Sequence, residues 1–214
     1  MSHVFLTGGT GYIGRRLIPA LVKGGHQVRA LVRAGSESKL PPGCTSVPGN
    51  ALDATTYVHQ LSASDTLVQL VGTPKPNPRK GKLFRAVDFK SGMAAVSAAK
   101  QAGVRHLVYV SVAHPAPMMQ AYIEPRVEVE EAIRSNGLNA TILRPWYVLG
   151  PGHLWPYLIL PGYWIAGLIP GKREAAQRLG LVKLHQMIGA LVAAVENPAQ
   201  GIKIVEVPEI RQYR

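Results

Sequence analysis

The sequence predicts an α/β fold in which helices cover both faces of a doubly wound parallel sheet. Short apolar runs alternate with stretches whose apolar residues recur at helical spacing, and this alternation is typical of βαβ units. A glycine-rich loop separates the first apolar run from the first helical stretch. The chain has 214 residues, of which 47% are hydrophobic, so it is long enough to bury a core of its own.

The first four strands and the first helix are predicted in the first third of the chain. Val4–Thr7 is the first strand, and a helix follows the glycine loop because its apolar residues fall on one helical face: Ile13, Leu17, Ile18, Leu21 and Val22. Gly24 and Gly25 end that helix. The next strands are predicted at Gln27–Val32, more weakly at Ser46–Val47, and at Thr66–Val71.

The remainder of the chain continues the alternation up to Pro145. A long helix near Phe84–Ala102 ends at Gly103, a residue type that often terminates helices. The other predicted elements are a strand at His106–Val112, a helix at Val127–Arg134, a strand at Ala140–Leu143, a helix at Leu184–Val195 and a strand at Ile202–Val207. We therefore predict a single domain over residues 1–214. A substrate-lid insertion at 146–183 forms its small C-terminal substrate lobe.

Composition narrows the functional classes. The net charge is +12, concentrated in the first half of the chain, but basic residues are not interleaved with aromatic residues as in nucleic-acid-binding grooves. The excess charge therefore favours a phosphorylated cofactor over a nucleic acid. The chain has one cysteine, and its seven histidines lack metal-ligand spacing, so we expect no metal site. A strand that begins at residue 4 leaves no room for a signal peptide, and no apolar run is long enough to span a bilayer, which predicts a cytoplasmic protein.

The glycine loop indicates a dinucleotide site. Residues 7–14 read TGGTGYIG and place glycines at positions 8, 9, 11 and 14. Glycine allows the strand to turn sharply, the backbone to approach a diphosphate, and the helix to pack close to the sheet. The loop follows a strand and opens an amphipathic helix. The phosphates of a bound dinucleotide would therefore lie at the positive end of the helix dipole. The predicted fold is therefore Rossmann-like.

The charge after the second strand distinguishes NADP from NAD. An NAD site usually carries an acidic residue there to bind the ribose 2′-hydroxyl. The first acidic residue of this chain is Glu37, and the strand ends at Arg33 instead. A guanidinium suits a dianionic 2′-phosphate, so we predict that NADPH is preferred over NADH. The alternative is that Arg33 is only a solvated cation.

These features resemble the short-chain dehydrogenase/reductase superfamily in its extended and atypical branches. The opening Thr7–Gly14 has the form T-G-x-x-G-x-x-G, and residues 28–33 (VRALVR) are similar to NmrA-like and other NAD(P)H-binding members. The run Ala102–His106 (AGVRH) is similar to Tat-interacting oxidoreductase-like proteins. Further matches continue through Arg144-Pro145, so the resemblance covers nearly the whole chain.

The resemblance implies a set of cofactor-binding residues. Those around the diphosphate would be Gly8, Thr10, Gly11, Tyr12 and Ile13. Arg33 would contact the adenosine phosphate, and Asn50 and Ala51 would lie beside the adenine, with asparagine where an aspartate is usual. Val71 and Gly72 would pass beneath the cofactor, and Pro145 and Trp146 would lie beside the nicotinamide. All these positions fall at the carboxyl ends of strands, where open α/β sheets bind ligands.

The resemblance also implies catalytic residues. Family members that reduce ketones use a serine and a Tyr-x-x-x-Lys pair, for which this chain offers Ser111, Tyr122 and Arg126. A nearby cation favours the phenolate. Arginine keeps this charge, and Arg126 would also bind the cofactor by donating to its ribose hydroxyls, but arginine cannot lose a proton. Pro125 favours a helix that begins near that residue, which would leave Tyr122 on a loop. The alternative is a kinked helix from about Met119, with Tyr122 and Arg126 on one face.

We therefore predict an NADP-dependent oxidoreductase that transfers hydride to a small, largely apolar carbonyl compound or a flavin-like acceptor. The altered Tyr-x-x-x-Lys pair keeps a second hypothesis open, an NmrA-like protein that senses NADP without turnover. A third is a peripheral protein that uses its charge and the apolar stretch near residues 155–170. The same stretch could form a substrate-pocket wall or the interface of a homodimer.

Overall fold

Most of the described strands form one large parallel sheet. The computed structural model describes residues 1–61, 66–74, 78–115, 119–152 and 179–213. The strands are β1 (His3–Thr7), β2 (Gln27–Val32), β3 (Thr45–Pro48), β4 (Thr66–Gln69), β5 (His106–Val110), β6 (Ala140–Arg144), β7 (Tyr147–Leu149), β8 (Leu181–Lys183) and β9 (Ile202–Glu206). Seven of them pair in parallel in the order β3-β2-β1-β4-β5-β6-β9, while β7 and β8 form a separate parallel pair.

The helices connect these strands. They are α1 (Gly14–Lys23), α2 (Gly81–Phe84), α3 (Lys90–Gln101), α4 (Gln120–Ser135), α5 (Leu184–Glu196) and α6 (Val207–Ile210). A π-helical turn, Arg85–Phe89, joins α2 to α3. The strand order reverses beside β1, whose neighbours are β2 on one side and β4 on the other. In open α/β sheets, this reversal opens a crevice at the carboxyl ends of the strands.

Two apolar layers, one on each face of the sheet, form the core. On one face, Leu17 of α1 and Leu191 of α5 pack against alternate strand residues such as Val4. On the other face, Ala95 of α3 and Ile133 of α4 pack in a second cluster that contains Phe5. Because neighbouring strand residues point to opposite faces, β1 contributes to both layers. The predicted doubly wound Rossmann-like sheet is confirmed.

The start of α4 differs from the favoured prediction. The helix begins at Gln120, so Pro125 lies at its sixth residue rather than near its start, and the prediction that Tyr122 lies on a loop is wrong. Proline in a helix removes one backbone hydrogen bond. Ile123, Pro125 and Arg126 are all buried, and this tertiary packing outweighs the local preference.

The other differences lie at strand ends and in short elements. The fourth and fifth predicted strands end two residues earlier, at Gln69 and Val110. The pair β7–β8 and the short helix α6 were not predicted, because elements of three or four residues carry almost no periodic signal. Most of the predicted lid, residues 153–178, lies outside the described residues. The single-domain assignment and the lid boundaries therefore remain predictions. Within the described ranges, no helix is both long enough and apolar enough to cross a membrane.

We expect His106 to make the folded protein sensitive to mild acid. Its side chain is fully buried on β5, and burial together with the nearby charge of Arg105 lowers the pKa of the imidazole from 6.5 to about 4. The unfolded chain takes up a proton near pH 6.5 but the folded chain does not, so stability is lost as the pH falls from about 6.5 to 4. At pH 5 this amounts to about 2 kcal/mol of unfolding free energy.

Urea unfolding at pH 7.5 and pH 5 measures this effect. In His106→Gln the difference in unfolding free energy between pH 7.5 and pH 5 should shrink by most of that amount. His59 is exposed, and His59→Gln should leave this difference unchanged. An unaltered pH dependence in His106→Gln would show that other groups cause the acid sensitivity.

Candidate functional site

A cleft of about 450 Å³ opens at the carboxyl edge of the sheet. It lies at the reversal of strand order, between the loops that follow β1 and β4. The sequence-predicted site residues that line it are Gly8, Gly11, Tyr12, Ile13, Val71, Gly72, Ser111, Tyr122, Arg126, Pro145 and Trp146. Residues from five separate chain segments thus converge on one cavity.

The glycine loop forms one wall of the cleft and is closely packed on itself. The backbone of Gly8 has a φ of 77°, a conformation that favours glycine, and a Cβ atom there would lie 3.0 Å from the backbone of Val71. A Cβ atom on Gly14 would lie 2.7 Å from the Cα of Gly9, so α1 can approach the loop only with glycine at this position. The loop therefore has the narrow backbone cradle that a diphosphate requires, with the N-terminus of α1 directed at it.

Tyr12 and Arg16 contact each other where the glycine loop meets α1. The Arg16 guanidinium lies 4.6 Å from the centroid of the Tyr12 ring and donates a 2.9 Å hydrogen bond to the Tyr12 carbonyl oxygen. A cation is thereby fixed within the first turn of α1, next to the positive end of the helix dipole. Thr10, also predicted to bind the diphosphate, is half-buried in the glycine loop but does not line the cleft.

The predicted adenosine-side residues lie at the carboxyl ends of neighbouring strands, outside the cleft itself. Arg33 is exposed directly after β2. Asn50 is exposed after β3, and its side-chain oxygen accepts a 3.0 Å hydrogen bond from the Leu52 backbone, while Ala51 is half-buried beside it. All three residues remain accessible along the edge of the sheet, where the adenosine half of a dinucleotide would extend from the glycine loop.

Tyr122 and Arg126 occupy one face of α4, as the kinked-helix alternative predicts. The Arg126 guanidinium carbon lies 3.8 Å from the Tyr122 ring centroid, and its Nη1 donates a 2.9 Å hydrogen bond to the Tyr122 carbonyl oxygen. The ring of Phe84 packs edge-on against Tyr122, with 5.0 Å between centroids. Tyr122 is thus held firmly at the cleft while part of its surface stays open to it.

Arg126 is a buried ion-pair member rather than a solvated cation. Its side chain is 6% exposed and pairs with Asp88, whose side chain is 2% exposed. Asp88 also accepts hydrogen bonds from the backbone N–H and the hydroxyl of Thr73, in the loop after β4. Asp88 therefore ties α4, the π-helical turn and the floor of the cleft together.

Burial, more than the neighbouring ion pair, determines the protonation of Tyr122. Burial raises the pKa of the phenol above 10, the Arg126 charge opposes this rise, and the Asp88 charge adds to it. The Arg126 charge therefore acts in the expected direction, towards the phenolate, but burial outweighs it and the pKa of the phenol is raised. At neutral pH the Tyr122 phenol is protonated and can donate a hydrogen bond.

Ser111 lines the cleft immediately after β5 and points to a second buried ion cluster. Its hydroxyl donates a 2.6 Å hydrogen bond to Glu130 of α4, which is fully buried. Arg144, at the end of β6, contacts both carboxylate oxygens of Glu130, and Arg134 contacts one of them at 3.3 Å. Glu206 of β9 joins Arg144 at 3.3 Å.

The opposite wall of the cleft is apolar. Buried Pro145 and half-buried Trp146 follow β6, and the Tyr147 ring packs edge-on against Trp146 with 5.4 Å between centroids. Val148 completes the wall among the described residues. The predicted aromatic residues further along the lid, such as Trp155 and Trp164, lie outside the described residues.

Sequence reasoning missed Asp88 and Glu130 as parts of the site. Each lies within a helical stretch whose apolar pattern gave no reason to bury a carboxylate. The signal was present in the arginines: Arg126 is itself a predicted site residue and Arg144 directly precedes one, and buried guanidinium groups require carboxylate partners. Among the described residues, no three His, Cys, Asp or Glu side chains cluster in a way that could hold a metal ion.

Comparisons with known proteins agree with this geometry. The sequence model of a family described as NAD(P)H-binding matches residues 8–151. A ceramide reductase of Caulobacter vibrioides is 26% identical over 217 residues, covering 98% of this chain and 65% of that protein. A 3-diazoavenalumate denitrifying reductase of a Streptomyces species is 29% identical over 234 residues, covering 93% of this chain and 74% of that protein. The chain is thus shorter than both relatives and spans under two thirds of the first.

Solved structures share the fold. The Bordetella bronchiseptica enzyme WbmH in complex with NAD⁺ superposes with a TM-score of 0.71 at 23% sequence identity, covering 94% of this chain and 74% of that one. At this identity the likeness concerns the fold alone. The family match spans more than half of the chain and includes the glycine loop, the floor of the cleft, Ser111, Tyr122 and Trp146. The chain therefore belongs to the NAD(P)H-binding family of Rossmann-fold proteins, as the resemblance to atypical short-chain dehydrogenases/reductases predicted.

Proposed function

We propose that this protein is an NADPH-dependent reductase that transfers hydride to a small, largely apolar carbonyl compound or a flavin-like acceptor. One observation carries the proposal: a single cleft joins the glycine cradle to a protonated tyrosine and an apolar wall. Ligand sites are usually apolar cavities with a few convergent polar groups, which is the composition found here. Two relatives named reductases support the same reaction class.

Each group of site residues has a separate role in binding the cofactor or in the reaction. The backbone of Gly8–Ile13 binds the diphosphate, while Arg33 contacts the 2′-phosphate and Asn50 and Ala51 flank the adenine. Val71 and Gly72 support the nicotinamide half from below, and Pro145 and Trp146 cover it. NADPH, when bound, supplies the hydride. Arg126 fixes the Tyr122 ring, and the Tyr122 phenol donates a proton to the carbonyl oxygen of the substrate.

The cofactor preference rests on Arg33. We expect NADPH to bind at least about 10-fold more tightly than NADH, a difference of about 1.4 kcal/mol. In Arg33→Asp the preference should be lost, because an aspartate repels the 2′-phosphate and can accept hydrogen bonds from the ribose hydroxyls of NADH. Isothermal titration with both cofactors measures the two affinities.

Arg105→Asp is the matched control for this change. Arg105 is exposed and immediately precedes β5, at the opposite edge of the sheet from the cleft, so the same charge change there should leave the preference intact. If the unaltered protein bound NADPH and NADH equally well, or if Arg33→Asp kept the preference for NADPH, Arg33 would not be a contact of the 2′-phosphate.

The second candidate function is an NADP sensor without turnover. The pairing of Arg126 with Asp88 favours it, because this buried pair differs from the lysine found beside the tyrosine in ketone-reducing family members. NADPH oxidation followed at 340 nm with panels of aldehydes, ketones and oxidised flavins separates the two functions. Steady turnover with any acceptor supports the reductase, whereas tight NADPH binding without turnover across the panel favours the sensor.

A further inference from the structure

Glu130 is the centre of a buried charge cluster directly behind the cleft. The carboxylate is completely buried and receives hydrogen bonds from Ser111, from the Arg144 Nε at 3.0 Å and from the Arg134 Nη2 at 3.3 Å. His114 lies further off, 3.9 Å from the carboxylate. Of these contacts, only Ser111 belongs to the part of the cleft that also contains Tyr122 and Arg126.

The bond between Ser111 and Glu130 fixes the direction of the serine hydroxyl. A serine hydroxyl has one proton and two lone pairs, so it can donate only once. Ser111 donates that proton to the buried carboxylate of Glu130 over a distance of 2.6 Å. This bond is favoured because hydrogen bonds to charged acceptors are about twice as strong as those between neutral groups. The Ser111 oxygen therefore presents only lone pairs to the cleft.

We infer that Glu130 is a positioning residue that makes Ser111 a hydrogen-bond acceptor, so that the site selects substrates bearing a hydroxyl or N–H donor next to the reducible carbonyl. The inference rests on the proposed reductase function and adds a substrate class to it. The substrate carbonyl oxygen takes its hydrogen bond from Tyr122, the protonated phenol in the same cleft. The neighbouring donor of the substrate then pairs with Ser111, while the rest of the molecule lies on the apolar wall at Trp146.

The surroundings keep Glu130 ionised, as this role requires. Burial alone would raise the pKa of the carboxyl, but hydrogen bonds from Arg144 and Ser111 and the Arg144 charge outweigh it, and the pKa lies below its ordinary value. The carboxylate thus persists at neutral pH and holds the serine proton. Glu206 is 3.3 Å from Arg144 and helps to fix the guanidinium that holds the cluster together.

A pair of matched carbonyl compounds tests the inference by binding rather than by turnover. N-methylheptanamide and methyl heptanoate have nearly the same shape, and NADPH reduces neither, but only the amide carries an N–H donor next to its carbonyl. Dissociation constants are measured by NMR titration of the protein saturated with NADPH. We expect the unaltered protein to bind the amide at least about 10-fold more tightly than the ester, because the ester oxygen would face the Ser111 lone pairs.

Variants separate positioning from general stability. In Ser111→Ala the preference for the amide over the ester should fall to the value that the basicity of the two carbonyl oxygens alone gives. In Glu130→Gln it should weaken, because a neutral amide oxygen accepts the Ser111 proton less strongly than a carboxylate does. Glu131→Gln, an exposed carboxylate one residue along α4, makes the same charge change away from Ser111 and should retain the full preference. Ser111→Ala leaves the Glu130–Arg144 pair in place, so it decides the question even if Glu130→Gln does not fold.

The outcomes also distinguish this inference from the proposed function. Equal binding of the two compounds by the unaltered protein, or an unchanged preference in Ser111→Ala, overturns the inference and leaves the reductase standing. Failure to bind NADPH in the preceding titration overturns the proposed function and the inference with it.

Discussion

Replacing Tyr122 with phenylalanine is expected to lower kcat for carbonyl reduction by roughly 100-fold or more, the usual cost of losing a general acid. The phenol is the proton donor of the proposed mechanism, and phenylalanine removes only its hydroxyl. The ring contacts with Phe84 and Arg126 remain, so the fold and the affinity for NADPH should be preserved. The measurements are NADPH oxidation at 340 nm and isothermal titration with NADPH.

Tyr57→Phe is the matched control for this prediction. Tyr57 is fully buried, stacks 5.9 Å from Phe5 and does not line the cleft, and its hydroxyl has no hydrogen-bond partner among the described residues. Its loss should leave kcat unchanged. Undiminished carbonyl turnover in Tyr122→Phe would assign the proton to another donor, whereas a loss confined to carbonyl compounds would leave flavin reduction as a separate activity.

The sheet could be predicted from sequence because its signals are local. The strands with continuous apolar runs, such as β1 and β5, and the glycine stops after α1 and α3 lie within about two residues of their predicted positions. The doubly wound parallel sheet followed from the βαβ alternation and the glycine loop, which together are typical of a Rossmann-like fold. The positions around the cofactor could be proposed for the same reason, since each directly follows a strand.

The polar interior of the site was beyond sequence reasoning because it depends on contacts between distant segments. Asp88 meets Arg126 across 38 positions of the chain, and Glu130 meets Arg144 across 14. No spacing rule connects such residues. The predicted start of α4 near Pro125 was wrong for a related reason. The hydrogen bond that a proline removes from the helix is offset by burial of the helix face that also carries Arg126.

Arginine at the lysine position of the family pattern has a structural consequence. A lysine near the cofactor can approach ribose hydroxyls as a flexible point charge, whereas the planar guanidinium of Arg126 is stacked on Tyr122 and paired with Asp88. A Cβ atom on Gly72 would lie 3.2 Å from the Asp88 carboxylate and 3.3 Å from the Arg126 guanidinium, so the floor of the cleft closes over the pair. The pair therefore shapes the cleft as well as the charge around Tyr122.

Removing Asp88 is expected to destabilise the protein by about 3–5 kcal/mol, the usual cost of leaving one member of a buried ion pair without its partner. In Asp88→Ala the Arg126 guanidinium stays buried with no carboxylate, and the backbone N–H and hydroxyl of Thr73 lose their acceptor. Urea unfolding at pH 7.5 measures the change. The double variant Asp88→Leu/Arg126→Met should recover most of the loss, because apolar groups of similar size often replace a buried pair at little net cost.

Glu128→Ala separates this effect from ion pairing in general. Glu128 pairs with Arg85 on the same two structural elements, but those side chains are 43% and 53% exposed, compared with 2% and 6% for Asp88 and Arg126. Water replaces the lost partner at an exposed site, so stability should change little. If Asp88→Ala and Glu128→Ala lowered the unfolding free energy by the same small amount, the Arg126 side chain would have to reach solvent in Asp88→Ala. Gly72 and Thr73 would then have to move apart, and the floor of the cleft would be held by weaker contacts than the buried pair.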